Sequence, residues 1–441
     1  MNTAKDKPDT ERILGTLKDF QRKTVEYVYR RLYTDHDCTN RFLIADEVGL
    51  GKTLVARGLI AKVVDSLWGR EDRIDILYIC SNSDIARQNS ARLNLADSQT
   101  FTPPDRSTLL PLHIHQMRKG QYLNFIALTP GTSFDLRSRG GISTERALLY
   151  RALREAWGFG DSMAPVNVLA CDMDCDNFRG VRDWVMKEVV EEGILKAFVA
   201  RVAQYDAKQT GASGRPLRER FRELCEIYVR KDSRVTPDIE SKRKALIGEL
   251  RSLLARTCIK WLKPDLVILD EFQRFKHLMD TNNPDGQLFR ELIEYSNEHQ
   301  SSRVVLLSAT PYKMYTLQHE EDSGDHYSDF VQTVKFLFND ASKTEKVEKL
   351  LDSFSAKLRY RVHDGDAGLF KIKHDLESVL RSVMVRTERL ACSSDRNGML
   401  KEIQMPALSP AVADIRHYVD YARISTQLKT GMIGEYWKSA P

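Results

Sequence analysis

The chain alternates between short, almost wholly apolar runs and longer stretches in which apolar residues recur every three or four positions. RFLIAD (41–46), IDILYICS (74–81), NFIALTP (124–130), DLVILD (265–270) and RVVLLSAT (303–310) are of the first kind. Continuous apolar runs of this length, ended by polar or glycine-rich turns, predict strands buried on both faces. Between them the helical period rules. Residues 13–33 place Phe20, Val25, Val28, Tyr29 and Leu32 on one side, and TLVARGLIAKVVDSLW (53–68) predicts an amphipathic helix. A further helix is expected from the end of the second strand to Leu95. Residues 183–205 and 217–260 carry helical spacing too, separated by the breaker GASGRP (211–216).

Strands alternating with helices predict an α/β fold, a parallel sheet with helices on both faces. Residues 1–140 and 264–320 would form this domain. Residues 141–263 would interrupt it as a helical insertion, and 321–441 would follow as a charged helical extension. At 441 residues the chain exceeds what one compact core usually supports, so two or three structural units are expected.

Composition changes this picture little. With 42% apolar and 29% charged residues the chain is neither disordered nor collagen-like. The amino terminus, MNTAKDKPDTER, lacks the apolar core of a signal peptide, and no run is long enough to span a bilayer. A cytoplasmic protein with no membrane partner is expected. The seven cysteines are an odd, scattered set in which Cys171 and Cys175 are the closest pair, so reduced thiols are expected rather than a zinc site. Net charge is only +5, but residues 215–263 hold 14 Lys/Arg against 7 Asp/Glu. That segment is either a solvated helical face or a polyanion-binding one.

The chemistry concentrates in ADEVGLGKT (45–53), directly after the first apolar run. A glycine loop between a strand and a helix can wrap backbone N–H groups around phosphate oxygens, aided by the positive end of the helix. Gly49 and Gly51 would permit the close approach, Lys52 would reach the outer phosphates, and the Thr53 hydroxyl would ligate magnesium. The usual pattern is G-x-x-x-x-G-K-[ST]; here Asp46 stands in the first place. Alone, the stretch is also compatible with a plain strand–turn–helix. LVILDEFQ (266–273) narrows the choice, because a strand ending in two carboxylates is what such a loop needs opposite it. Asp270 would hold the magnesium ion, and Glu271 would orient and deprotonate the attacking water. The two strands are expected as neighbours whose ends converge on one site.

In order and wording these motifs resemble the first RecA-like lobe of superfamily-two helicases, nearest the Swi/Snf-type translocases. ADEVGLGKT is similar to that group's D-E-x-G-L-G-K-T, which accounts for Asp46 and Glu47 without assigning them a role. DEFQ resembles the DExH/DExQ box, with Gln273 in its fourth place, and Ser308-Ala309-Thr310 resembles the third motif. The resemblance implies a RecA-like P-loop fold, ATP and Mg²⁺ as cofactors, and coupling of the nucleotide site to nucleic acid through Gln273, Ser308 and Thr310. LKDFQRKTV resembles the adenine-recognition segment, which implies Gln21 at the adenine edge. YICSNSDIARQ (78–88) and ALTPGTSF (127–134) stand where the family contacts the phosphate backbone, which implies Ser81 and Thr129 as nucleic-acid ligands, DNA before RNA. MVRTER (384–389) is similar to a basic segment late in the lobe. The resemblance covers about residues 14–135 and 262–312 and leaves the insertion unexplained.

Other chemistry is thin. His113 and His115 lack a cluster of further ligands. Tyr27, Tyr29 and Tyr33 read as helix packing, and Trp157, Trp184 and Trp261 as core. A full motor of this family has a second lobe supplying arginine fingers, worth about 10³–10⁵ in turnover. No second glycine–strand set follows Thr310, so that lobe is expected from the rest of a longer chain or another polypeptide, and slow hydrolysis is expected of this chain alone. A nucleotide-binding switch or scaffold that does not act on nucleic acid is the alternative.

Overall fold

The computed structural model describes residues 7–71, 73–95, 106–118, 122–129, 140–208, 214–229, 235–262, 264–279, 284–294, 301–308, 326–359, 367–388 and 411–428. Six strands, β1 (Arg41–Ile44), β2 (Ile74–Ile79), β3 (Leu123–Leu128), β4 (Leu266–Asp270), β5 (Arg303–Leu307) and β6 (Met384–Val385), form one sheet in the order β3-β2-β4-β5-β1-β6. Every pairing is parallel. The fold is therefore α/β with an all-parallel sheet.

Alternate strand residues feed two separate cores, as the period of two requires. Phe42, Ile44, Ile76, Tyr78, Ile268 and Val305 enter one core. It is closed by α1 (Thr10–Gly15), α2 (Asp19–Tyr29), α3 (Lys52–Leu67) and α4 (Ser83–Leu93). Leu43, Leu77, Ile126, Val267, Leu269 and Leu306 enter the other core. A helix before β3, α5 (Leu110–Arg118), contributes to this second core, and so does the whole block between β3 and β4. That block comprises α6 (Ser143–Trp157), α7 (Ala164–Ala170), α8 (Cys175–Lys187), α9 (Glu192–Ala207), α10 (Leu217–Ile227) and α11 (Pro237–Leu262). The insertion thus shares its core with one face of the sheet. After β4 comes α12 (Pro284–Ile293). After β5 come α13 (His326–Phe338), α14 (Ala341–Arg359) and α15 (Ala367–Arg381).

A fully buried ion pair anchors the insertion. Arg251 on α11 donates from Nε to Glu145 Oε2 at 2.9 Å and from Nη2 to Oε1 at 3.1 Å. The remaining Glu145 lone pairs accept from Ile142 N at 2.8 Å and Thr108 Oγ1 at 2.5 Å. A carboxylate this deeply buried persists because each oxygen is satisfied.

The element boundaries differ from the periodic reading in four places, one of them the stretch 217–260, which holds two helices, α10 and α11. Residues 183–205 are two helices, because Arg151 Nη1 takes the carbonyls of Val185 and Glu188 at 2.7 and 2.8 Å and so ends α8. Residues 13–33 form α1, α2 and a π-helical turn over Arg30–Thr34, with the Gln21 side chain accepting from Lys18 N at the start of α2. The extension is not all helix: β6 adds a sixth strand beside β1, where it gains pairing partners that its two residues lack alone. Tyr27 packs edge-on to Phe42, and Tyr29 stacks on Tyr33. Trp157 lies against Phe159 and Phe221, but Trp184 is 50% exposed and is not a core residue.

Contacts divide the chain into Met1–Glu388 and Arg389–Pro441. In the second unit the described element is α16 (Val412–Leu428), whose Val412, Ile415, Tyr418 and Ile424 are exposed. Among the described residues no helix is long and apolar enough to cross a membrane.

Candidate functional site

The carboxyl ends of β4, β5 and β1 are level, since Leu307 is in register with both Asp270 and Ile44. The expected neighbours β1 and β4 are in fact separated by β5. At about 4.8 Å per strand step, the glycine loop and the Asp270–Glu271 turn leave the sheet about 10 Å apart. Side chains span such a gap easily, so the intervening strand does not divide the site.

The loop is built on two left-handed glycines, Gly49 at φ 88° and Gly51 at φ 81°. A side chain at Gly51 meets a second obstacle, because an added Cβ would stand 2.6 Å from Gln21 Nε2. Gln21 is buried and donates to Leu50 O at 2.9 Å while its Oε1 accepts from Lys18 N at 3.0 Å. It therefore clamps the loop from α2. Lys52 and Thr53 open α3. The Lys52 ammonium donates to Asp46 O at 3.0 Å and Glu47 O at 3.4 Å. Burial pushes the Lys52 pKa down, while the charges of Asp46, Asp270 and Glu271 act the other way. The same Lys52 charge acts on Asp270, so lysine and carboxylates share one electrostatic site.

Asp270 is raised above the usual carboxylate range, first by burial and then by Glu271 beside it; hydrogen bonding from Tyr78 and the Lys52 charge oppose this. The Tyr78 hydroxyl donates to Asp270 Oδ2 at 2.6 Å, and Asn89 Nδ2 on α4 donates to that hydroxyl at 2.9 Å. Neither Tyr78 nor Asn89 is visible as a site residue in the sequence. The one available signal is a tyrosine near the end of an otherwise aliphatic strand.

Glu271 has φ 51°, which a non-glycine residue adopts at a cost of about 1–2 kcal/mol. Arg274 Nε lies 2.9 Å from Glu271 Oε2. The pair is off the hydrogen-bond line, so Oε2 has its charge matched but accepts no hydrogen bond. Three more buried polar atoms near this edge lack a hydrogen bond: Asp46 Oδ2, Gln273 Oε1 and Ser308 Oγ. Ser308 follows β5, between the two loops, and its N–H donates to Ile44 O at 3.1 Å. Buried polar atoms rarely go unmatched, and these four of the unmatched atoms gather at one edge, where a polar ligand would match them. A hydrated ion and a phosphate chain are groups that would supply the donors and acceptors these atoms lack.

Asp46, without a role in the sequence reading, gains one. Its Oδ1 accepts from Thr387 N at 2.8 Å, Glu47 N donates to Thr387 O at 3.1 Å, and Ala45 N donates to Val385 O at 2.8 Å. The carboxylate thus fastens the loop to the segment leaving β6. Ser81 and Thr129 follow β2 and β3 at the same edge of the sheet but toward its β3 end, about 14–19 Å from β1 by strand count. Thr129 stands apart from Lys52, whereas Ser81 leaves β2, the strand next to β4 and Asp270. Thr310 lies outside the described residues.

Other clusters carry less. Cys171, Asp172 and Glu240 could gather round an ion, but Lys244 holds Asp172 at 2.9 Å and Arg243 holds Glu240 at 2.5 Å. A cavity of about 850 Å³ opens at the amino edge of the sheet, between Arg31, Arg41, Glu294 and Lys346. There Arg31 is engaged by Asp37 and Arg41 by Glu294 and Phe336 O, which makes it a seam between elements, away from Lys52 and Asp270. Comparison with family models and with curated protein sequences returned no match.

Proposed function

We propose that the chain is the ATP-binding lobe of a nucleic-acid-dependent ATPase, a RecA-like P-loop domain of the helicase and translocase type. The observation that supports this best is the placement of Lys52, at the end of the loop after β1, and of Asp270 and Glu271, at the end of β4, along one edge of level strand ends, beside a glycine loop clamped by Gln21. The loop amides and Lys52 would hold the phosphates of ATP, and Thr53 and Asp270 would hold Mg²⁺. Bound there, the ion supplies charge neutralisation at the transferring phosphoryl group.

Lys52 must leave the carbonyls of Asp46 and Glu47 to meet a phosphate, an exchange of neutral acceptors for a charged one that favours the bound state. Glu271 takes the proton of the attacking water, for which its Oε2 has acceptor capacity free. Gln273 and Ser308 lie where a change at the phosphates reaches their unmatched atoms and passes to the rest of the edge.

Fluorescent ATP binding and phosphate release test the reading. Lys52→Ala removes charge-assisted contacts of about 1.5–3 kcal/mol, so affinity falls about ten- to a hundredfold. Glu271→Gln keeps affinity and loses turnover. Equal affinity in the lysine variant rejects the site. Turnover that DNA and RNA leave unchanged, measured with any second lobe present, favours the nucleotide switch over the motor.

A further inference from the structure

Four cations of the insertion gather on one surface, two from the basic segment 215–263 and two from the chain before it. Helices α9 and α11 pack side by side, and between them runs a trough formed by two adjoining hollows of about 320 and 290 Å³ that share Arg201 and Gln204. Lys208 and Arg256 line one hollow and Lys260 the other. Within each helix the cations are spaced for an extended anion. Arg201 and Lys208 lie about 10 Å apart along α9, and Arg256 and Lys260 about 6 Å apart along α11.

The acidic residues nearby offset only part of this charge. Glu249, the acidic residue in the lining, is held by Arg220 at 2.8 and 3.0 Å. Glu291 on α12 serves two guanidiniums at once, Arg256 at 3.2 Å and Arg201 at 3.9 Å. Burial lowers the Arg201 pKa, and the neighbouring Arg256 adds to the effect although Glu291 opposes both. Two like charges held together in a half-buried trough are relieved by an incoming anion. Among the described residues, the Lys208 and Lys260 ammoniums have no ion pair. The floor is low, because Ala197 and Ala200 face it from α9, and Trp261 and Tyr205 stand along its length.

We infer that this trough binds the sugar-phosphate backbone of a nucleic acid, as a second contact separate from the Lys52–Asp270 site. The inference rests on the proposed motor function for its choice of polyanion, and on the cation spacing, the shallow floor and the flanking rings for the surface itself. α11 ends just before β4 begins, at the opposite end of that strand from Asp270. An occupant of the trough therefore does not compete with nucleotide.

The test measures fluorescence anisotropy of labelled duplex DNA, single-stranded DNA and RNA across a salt series. Each phosphate contact adds about 0.9 to the slope of log affinity against log salt on duplex DNA. Lys208→Gln/Lys260→Gln is expected to lower the slope by about 2 and weaken low-salt binding about tenfold, with ATP affinity and melting temperature as in the wild type. Lys343→Gln/Lys346→Gln, on α14, is expected to change none of these. Wild-type binding with an unaltered slope in the trough variant overturns the inference and leaves the ATPase reading standing. A wild type that binds ATP but no nucleic acid overturns both the trough and the motor. Retention of poly-glutamate but no nucleic acid overturns it in favour of an acidic protein segment.

Discussion

The Tyr78 hydroxyl donates a 2.6 Å hydrogen bond to Asp270 Oδ2, tying the end of β2 to the end of β4. The two side chains are diagonal neighbours: Tyr78 is in register with Ile268, and Asp270 is two residues further along the same face. The bond fixes the rotamer of the carboxylate proposed to hold Mg²⁺. Asn89, on the helix that follows Ser81, holds the hydroxyl in turn.

Tyr78→Phe keeps the ring and removes the donor. A hydrogen bond to a charged group is worth about 1.5–3 kcal/mol, and part of that now orients Asp270. Nucleotide binding is expected to need about five- to tenfold more Mg²⁺ for half-saturation, with binding in EDTA unchanged. A Mg²⁺ titration of fluorescent ATP binding reads this directly, and an unaltered midpoint removes Tyr78 from any positioning role.

Gly51→Ala meets both a left-handed backbone and Gln21, whereas Gly69→Ala, at φ 78° with open space around it, meets the backbone penalty alone. The penalty is about 1–2 kcal/mol at each. Gly51→Ala is expected to cost more by about a further 1 kcal/mol or more, the price of displacing a buried amide. In a double-mutant cycle by urea unfolding, Gln21→Ala combined with Gly51→Ala should be less destabilising than the sum. Strict additivity would show that the clamp and the loop are independent.

At the amino edge of the sheet, Asp265 Oδ2 accepts from Asp75 N at 2.7 Å. Burial, helped by the charges of Asp75 and Glu71, pushes the Asp265 pKa up to about 7. Its unfolded value is about 3.9. Between these values the folded chain holds a proton that the unfolded chain releases, so this group's stabilisation is full below about pH 4 and is lost as pH rises through about 7. Asp265→Asn keeps the acceptor and cannot ionise. It should match the wild type near pH 4 and melt progressively higher than it as pH rises to 8. Parallel melting curves across pH 5–8 would mean that Asp265 titrates normally.

Glu145→Gln leaves Arg251 as a buried charge without its counterion. The expected loss is about 3–5 kcal/mol of unfolding free energy, seen as a lower urea midpoint. ATP affinity at temperatures where the variant is folded should be unchanged, because the pair lies in the insertion's core. A variant as stable as the wild type would show that water or a rearrangement satisfies Arg251.

Chain order and local chemistry sufficed for five of the six strands and for the glycine loop. Unbroken apolar runs such as LVILD have no other low-energy home than a doubly covered sheet, and Gly49 and Gly51 stand where the backbone turns left-handed. The places of Lys52, Asp270 and Glu271 beside strand ends could be read because the pattern marks where those strands stop. What distance along the chain conceals was decided by packing. Arg151 cuts a continuous helical pattern in two because it finds free carbonyls 34 and 37 residues away. β6 is a strand because β1 offers an edge. Asp46 becomes a fastening because Thr387 arrives beside it from 341 residues on. Tyr78 acquires a partner on β4 because β2 and β4, far apart in sequence, lie side by side. Local periodicity records which face of an element is buried, but hydrogen bonds between distant segments depend on which elements meet, and only the folded chain contains that information.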